Sequence, residues 1–333
     1  MARTIISLLL NGALGRRART ERMTRERVEM QDSEPIAPMA ESSIEGLPGF
    51  THAYSAVNGT QIHYVIGGMG PALVLLHGWP YTWTVWCKVM PLLGAQGYTV
   101  IAPDLRGLGD SALEKVGYAK SNVAKDIHEL IRSLGFEHIY LLGMDIGMMV
   151  AFAYALRYPE EIDRLILTES LIPGFGLEEL MNPATGGYWH FGFHMQVAVA
   201  DMLTAGKEEP YLLPTMAMMS VSRDALETAK AVYLPSYKRL GRMRAGFEHY
   251  GTLLQDGKDN RERMKQKLAM PVLVLSGEHG IPQSQTLGCV RQVAENIETD
   301  LVPNAGHLYA HDNPKWVAER LHAFLSSNSD ERL

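Results

Sequence analysis

The sequence predicts an α/β protein: a mostly parallel sheet with helices on both faces and a helical insert above the carboxyl ends of its strands. Three observations carry that expectation. Continuous apolar runs, such as Pro71-Ala72-Leu73-Val74-Leu75-Leu76, read as strands buried on both faces. These runs alternate with segments of helical spacing, which implies right-handed crossovers between parallel strands. From Pro173 to about Arg263 no buried-strand run occurs and the chain is rich in Met and Tyr, with Trp189 among them, before the alternation resumes at Met270.

Taken in order, the first strands form a hairpin. Thr51 to Val57 and Gln61 to Ile66 flank Asn58-Gly59, a pair suited to a tight turn. The run over 71–76 ends in His77-Gly78-Trp79-Pro80. Tyr98 to Ala102 is the next buried strand and leads into Asp104-Leu105-Arg106-Gly107-Leu108-Gly109-Asp110-Ser111. Val123, Ile127, Leu130, Ile131 and Leu134 share one face of a helix, which Gly135 ends. The stretch from His138 then runs as an apolar strand through Gly143-Met144-Asp145-Ile146-Gly147 into another helix. Ile162 to Thr168, Met270 to Gly277 and about Glu298 to Val302 complete the strands, and Trp316 to Leu325 closes the fold as an amphipathic helix. The predicted organisation is a core over 49–172, a helical cap over 173–263, the rest of the core over 264–326 and a short tail over 327–333.

Residues 1–48 read differently. Met1 to Thr20 holds four arginines and no acid, and the segment after it is charged, then rich in Pro, Ser and Glu. That composition predicts a disordered extension or a cleaved targeting segment, with the arginines leaning toward a transit peptide. Across the whole chain, 333 residues at 46% apolar are ample for one large core. A net charge of -6, with basic residues dispersed beyond the first thirty positions, argues against a nucleic-acid partner. Cys87 and Cys289 are the only cysteines, so no disulfide framework is implied, and a reducing, cytoplasmic location fits. No apolar run reaches the roughly 18 residues needed to span a bilayer. The expected partner is a small molecule, and the oligomeric state is left open.

Strand, sharp turn and helix around Asp145 form the context of a nucleophile elbow, in which flanking glycines let the chain bend where a Cβ would clash. Asp is also a preferred helix N-cap; the two glycines and the preceding apolar strand favour the reactive role. A carboxylate with an ordinary pKa of about 3.9 is ionised at neutral pH and needs no activating base. It is a weak nucleophile toward carbonyls, because the product is an anhydride. It suits in-line attack at a saturated carbon that bears a leaving group. The resulting ester must be hydrolysed by activated water, and His307, in the turn Asn304-Ala305-Gly306-His307 after the last strand, is the candidate base. Two carboxylates compete to orient it. Glu169 directly follows Ile162 to Thr168, and Glu278 follows the later strand; Glu169 is preferred because its strand is central. The backbone N–H groups of Trp79 and Ile146 are the expected oxyanion hole. No His, Cys or Asp group has metal-ligand spacing, so neither metal nor cofactor is expected.

From about residue 50 to residue 326 these features resemble the α/β-hydrolase superfamily. Gly-Met-Asp145-Ile-Gly, His77-Gly78-Trp79-Pro80 and Asp104 to Ser111 resemble in particular the branch of epoxide hydrolases and haloalkane and haloacetate dehalogenases. The resemblance implies an α/β-hydrolase fold with a helical cap and a cofactor-independent hydrolase. In several dehalogenases of this branch the acid follows the strand after the elbow, where Glu169 stands. Many epoxide hydrolases carry it after the later strand, at the place of Gly280. This again favours Glu169. Ile146 replaces the Trp that clamps halide in haloalkane dehalogenases, and Trp79 replaces the Asn many of them use. Ile146 and Met149 stand where fluoroacetate dehalogenases bind carboxylate with arginines. Met144 takes the place of the usual His before the nucleophile.

The resemblance further implies cap-domain acids that protonate the opening oxygen. Arg244-Ala245-Gly246-Phe247-Glu248-His249-Tyr250 resembles the segment carrying one of them, so Tyr250 is the expected acid. The second position falls near Trp189-His190-Phe191, where His190 is the alternative donor and Tyr188, Trp189 and Phe191 are expected to line a pocket for substrate. The expected activity is the opening of an epoxide on an apolar small molecule. The alternatives are dehalogenation of haloalkanes or haloacids and, in a different class, an epoxide-opening cyclase in which a substrate hydroxyl replaces water.

Overall fold

In the computed structural model, which describes residues 42–327, nine strands form one sheet. They are β1 (Ser42–Ser43), β2 (Phe50–Val57), β3 (Thr60–Gly68), β4 (Ala72–Leu76), β5 (Thr99–Pro103), β6 (Ile139–Met144), β7 (Ile162–Thr168), β8 (Val272–Gly277) and β9 (Ile297–Val302). Their spatial order is β1-β2-β3-β5-β4-β6-β7-β8-β9. The pairings from β1 through β3 to β5 are antiparallel, and all those from β5 onward are parallel. The hairpin between β2 and β3 turns at Asn58 and Gly59, whose φ values are 45° and 70°; Asn and Gly are the residues that accept such a turn. β4 lies between β5 and β6 and is nowhere more than 1% exposed, which is why its sequence is apolar without alternation. The helix Ile146–Ala155 behind the elbow is buried on every side and correspondingly apolar all round.

The predicted extension over 1–48 needs correction at its end. Ser42 and Ser43 pair with His52 and Thr51, and Leu47 is buried, so residues 42–48 belong to the sheet unit. A two-residue polar strand has no apolar period to reveal it in sequence. The remainder of that extension, over 1–41, and the tail from residue 328 lie outside the described residues. Among the described residues no helix is long and apolar enough to cross a membrane.

Between β7 and β8 the chain is helical, from Leu177–Leu180 to Leu253–Arg263. Buried charges fasten this segment to the loops at the carboxyl ends of the strands. Lys120, wholly buried at the start of the helix Lys120–Ser133, places Nζ 3.2 Å from Asp256 Oδ2 and donates to His249 O at 2.5 Å. Arg242 donates from Nη1 to Gly107 O at 2.9 Å and to Ser111 O at 2.7 Å. On the other side Ser220 donates its hydroxyl to Asp312, which also accepts the Val221 N–H at 3.2 Å and the Gly306 N–H at 2.9 Å.

The fold also assembles a group that sequence spacing does not reveal. His63, Asp104 and Asp110 bring three possible ligand atoms within 4.8 Å of one another. Those atoms are already engaged in fastening the loop after β5. His63 Nδ1 lies 2.7 Å from Asp104 Oδ2, Asp104 accepts the N–H groups of Trp83 and Asp110 at 2.8 Å each, and Asp110 pairs with Arg239 at 2.8 Å.

Candidate active site

Asp145 sits at the end of β6 with φ 55° and ψ −123°, a conformation that residues other than glycine rarely adopt. The turn is held from both sides: Asp145 N–H donates to Thr168 O of β7 at 3.1 Å, and Asp145 O accepts Met148 N–H at 3.0 Å. A Cβ on Gly147 would stand 2.7 Å from His77 O and nearer still to Leu76 O, so only glycine lets this helix start against the end of β4. The carboxylate meets two backbone donors. Trp79 N–H reaches Oδ1 at 3.0 Å, and Ile146 N–H also bonds it. Burial pushes the Asp145 carboxyl up; His307 and the two N–H groups oppose this without cancelling it.

His307 faces Asp145 from the loop after β9. Its Nδ1 lies 2.9 Å from Glu169 Oε2, and its Nε2 is buried with no hydrogen-bond partner among the described residues. Burial alone would push this imidazole down. The hydrogen bond and charge of Glu169, with Asp145 beyond, outweigh that and hold it above its ordinary value. Glu169 is fully buried at φ 55° and also accepts Gly277 N–H at 2.6 Å and Ile281 N–H at 3.0 Å. A Cβ on Gly280 would stand 2.6 Å from Glu169 Oε2 and closer to Oε1. The Glu169 carboxylate thus fills the space into which a side chain at 280 would project. Glu278 points elsewhere and accepts the Asn304 N–H at 2.9 Å.

Around Asp145 and Trp79 stands a wall of aromatic side chains from the helices Trp189–His194 and Arg242–Gly251. Tyr250, 3% exposed, packs edge-on to Trp79 at 5.8 Å between ring centres and to His190 at 6.0 Å, and lies 5.7 Å from Phe191. Burial first, and then the charge of Asp145, push its phenol well above the ordinary value. Burial and His307 push His190 down to about 4, so it is neutral at pH 7. Tyr81 lies 6.2 Å from the His307 ring and donates its hydroxyl to Met219 Sδ at 2.9 Å, while Tyr237 donates to Tyr81 O at 3.1 Å.

Of the residues named from sequence, the fold gathers Asp145, Glu169, His307, Trp79, Ile146, Tyr250, His190 and Phe191. Tyr188 and Trp189 meet the group at His190, whose ring lies 5.7 Å from Tyr188 and 6.5 Å from Trp189, and they are 42% and 59% exposed. The reason is helical phase. On Trp189–His194 the i, i+4 pair His190 and His194 faces inward with Phe191, which turns Trp189 out. The same spacing was the signal that could have found His194, whose ring packs 4.5 Å from Tyr250 and 4.8 Å from Trp79. Tyr81, Tyr237 and Tyr211 carried no local signal. An open cleft of about 1020 Å³, lined by Phe175, Glu178, Arg261 and Gln292 among others, includes none of the gathered residues.

An elbow with two backbone donors, a buried His–Glu pair and a helical cover over the strand ends defines a hydrolase of the α/β class. Residues 71–314 match the model of the alpha/beta hydrolase fold family, and the chain belongs to that family. It is 33% identical over 291 residues to a soluble epoxide hydrolase from Corynebacterium sp. (strain C12), spanning 83% of this chain and 97% of that protein. A fluoroacetate dehalogenase from Burkholderia sp. is 38% identical over 156 residues, 45% of this chain and 51% of that protein. Among solved structures, the epoxide hydrolase CorEH superposes with a TM-score of 0.74 at 30% identity, over 83% of this chain and 98% of that one. The protein is accordingly a hydrolase of the epoxide hydrolase and dehalogenase type.

Proposed function

We propose that this chain opens epoxides on neutral, mostly apolar small molecules through an ester on Asp145. One observation carries the reading: a carboxylate held by two backbone N–H groups lies within charge-interaction range of His307, whose Nε2 has no hydrogen-bond partner among the described residues. An Asp145 oxygen attacks a ring carbon, and the C–O bond breaks toward the ring oxygen. That oxygen takes the proton of Tyr250, whose raised pKa keeps the phenol protonated until an alkoxide forms. Neutral His190 donates a hydrogen bond to the same oxygen, as an uncharged imidazole can. His307 Nε2 then takes a proton from water, whose oxygen attacks the ester carbonyl. The N–H groups of Trp79 and Ile146 stabilise the oxyanion. Collapse expels the diol with the proton held on His307, and the proton left on Asp145 restores Tyr250. Glu169 keeps the His307 tautomer and offsets its charge.

Likeness to an epoxide hydrolase across nearly that protein's whole length supports this reading. A single turnover in heavy-oxygen water tests it. The first diol should carry unlabelled oxygen from Asp145 while the enzyme gains label. Label in the first diol with none in Asp145 would overturn the covalent route.

A second reading, dehalogenation, is favoured by the likeness to the fluoroacetate dehalogenase. Against it, Ile146 and Met149 are buried and apolar, with no charge to meet a carboxylate. Halide release from haloalkanes or haloacetates without epoxide turnover would decide for it.

A further inference from the structure

The cap carries a second polar pair beside the one assigned to ring opening. His194 is 2% exposed, and its Nε2 lies 2.6 Å from the Tyr211 hydroxyl. Its ring is enclosed by site residues: Tyr250 at 4.5 Å, Trp79 at 4.8 Å, Phe247 at 4.9 Å and His190 at 5.3 Å. Its Nδ1 is buried and has no hydrogen-bond partner among the described residues. Buried polar atoms in folded proteins are almost always satisfied, so an orphaned ring nitrogen needs a reason. An apolar side chain would fill this aromatic enclosure without that loss.

The Tyr211 hydroxyl and His194 Nε2 share one hydrogen bond, in which either can donate. With Tyr211 donating, as a phenol readily does, the second ring nitrogen, Nδ1, carries the N–H. His194 is held neutral by burial, its pKa pushed down to about 2. In that tautomer the nitrogen is an uncharged hydrogen-bond donor among the residues around Asp145. The oxirane oxygen has its own donors in Tyr250 and His190.

We propose that His194 selects substrates carrying an oxygen acceptor besides the oxirane, such as a hydroxyl, ether or carbonyl, and bonds it through Nδ1. The inference rests on the epoxide reading of the site and names the substrate class within it: oxygenated epoxides rather than plain hydrocarbon epoxides. His194 binds this group and takes no part in bond making or breaking.

The test is a pair of epoxides of the same carbon skeleton, one plain and one bearing a hydroxyl or keto group, assayed by kcat/KM in wild type, His194→Phe, His194→Gln and Tyr211→Phe. Wild type should prefer the oxygenated member by about tenfold or more, the effect of one buried hydrogen bond that the plain substrate leaves unmade. His194→Phe should bring the ratio close to one. His194→Gln, which keeps an N–H donor, should restore part of it. Tyr211→Phe leaves the ring in place but frees the tautomer, so an intermediate ratio is expected; it also keeps the test readable if His194→Phe does not fold. An unchanged ratio in folded His194→Phe or, failing that, in Tyr211→Phe overturns this inference alone, and shows that buried water or packing satisfies the site. Wild-type silence on both compounds overturns the epoxide reading, and the inference with it.

Discussion

Moving the carboxylate that orients His307 from position 169 to position 280 tests the central geometry. Glu169→Ala removes the partner of His307 Nδ1 at 2.9 Å and the acceptor of two buried N–H groups, Gly277 at 2.6 Å and Ile281 at 3.0 Å. An orphaned buried donor costs about 1–3 kcal/mol, so two give a loss of about 2–6 kcal/mol in stability. Losing the carboxylate of a Ser-His-Asp triad slows turnover by about ten-thousandfold, and a similar order is expected for ester hydrolysis here. Gly280→Asp alone is also expected to harm the protein. Its Cβ would stand 2.6 Å from Glu169 Oε2, far inside van der Waals contact, and two carboxylates would share one buried site. Combined, the two changes relieve each other, because the new carboxylate occupies the space the old one leaves. Gly280 has no positive φ, so its backbone accepts the side chain. The assay is rapid quenching with mass measurement of the Asp145 ester, alongside thermal unfolding of each variant. Glu169→Ala should form the ester and hold it. The double variant should hydrolyse the ester at least tenfold faster than Glu169→Ala. A folded double variant with no gain would refute the assignment of a carboxylate at this point in space.

Other consequences are direct. In the proposed mechanism His307 acts as a neutral base, and its pKa is raised, so ester hydrolysis should fall as pH drops through a value above 6.5. In Glu169→Gln the imidazole loses its main support, and that acid limb should move down; a limb that stays put in the pH profile of kcat would count against the Glu169 contribution. Asp256→Ala strands the buried Lys120 ammonium, and loss of one partner of such a pair costs about 3–5 kcal/mol. The melting temperature should fall by roughly 6–20 °C for a domain of this size, and a change of a degree or less would mean that water reaches the pair. Trp189→Ala should leave kcat/KM within about twofold, because the side chain is 59% exposed; a tenfold loss would place Trp189 back in the substrate path.

Much of the fold was legible because burial on both faces writes itself into sequence. β4, β6, β7 and β8 read as apolar runs, the Asn58-Gly59 turn names its own conformation, and Asp145 between glycines marks the elbow. His307 could be singled out from twelve histidines by its place after the last strand. β1 escaped notice because two serines carry no period. The exposure of Tyr188 and Trp189 was not legible, because a helix of six residues is too short for sequence to declare which side faces inward.

By itself, then, the sequence determined the layered α/β architecture and supplied the candidates for nucleophile and base, with the preference for attack at saturated carbon that the proposed mechanism uses. Each of these follows from local residue order: apolar period, glycine spacing, and the chemistry of a carboxylate where a hydroxyl is usual. The sequence favoured Glu169 over Glu278, but the contact itself belongs to the tertiary structure: it depends on a φ of 55° at Glu169 and on the absence of a side chain at Gly280, whose space the Glu169 carboxylate fills. Tertiary structure alone placed His194 and Tyr211 within 2.6 Å of each other and against Trp79 and Tyr250. Those contacts join segments far apart in the chain, and no local pattern encodes the distance between them.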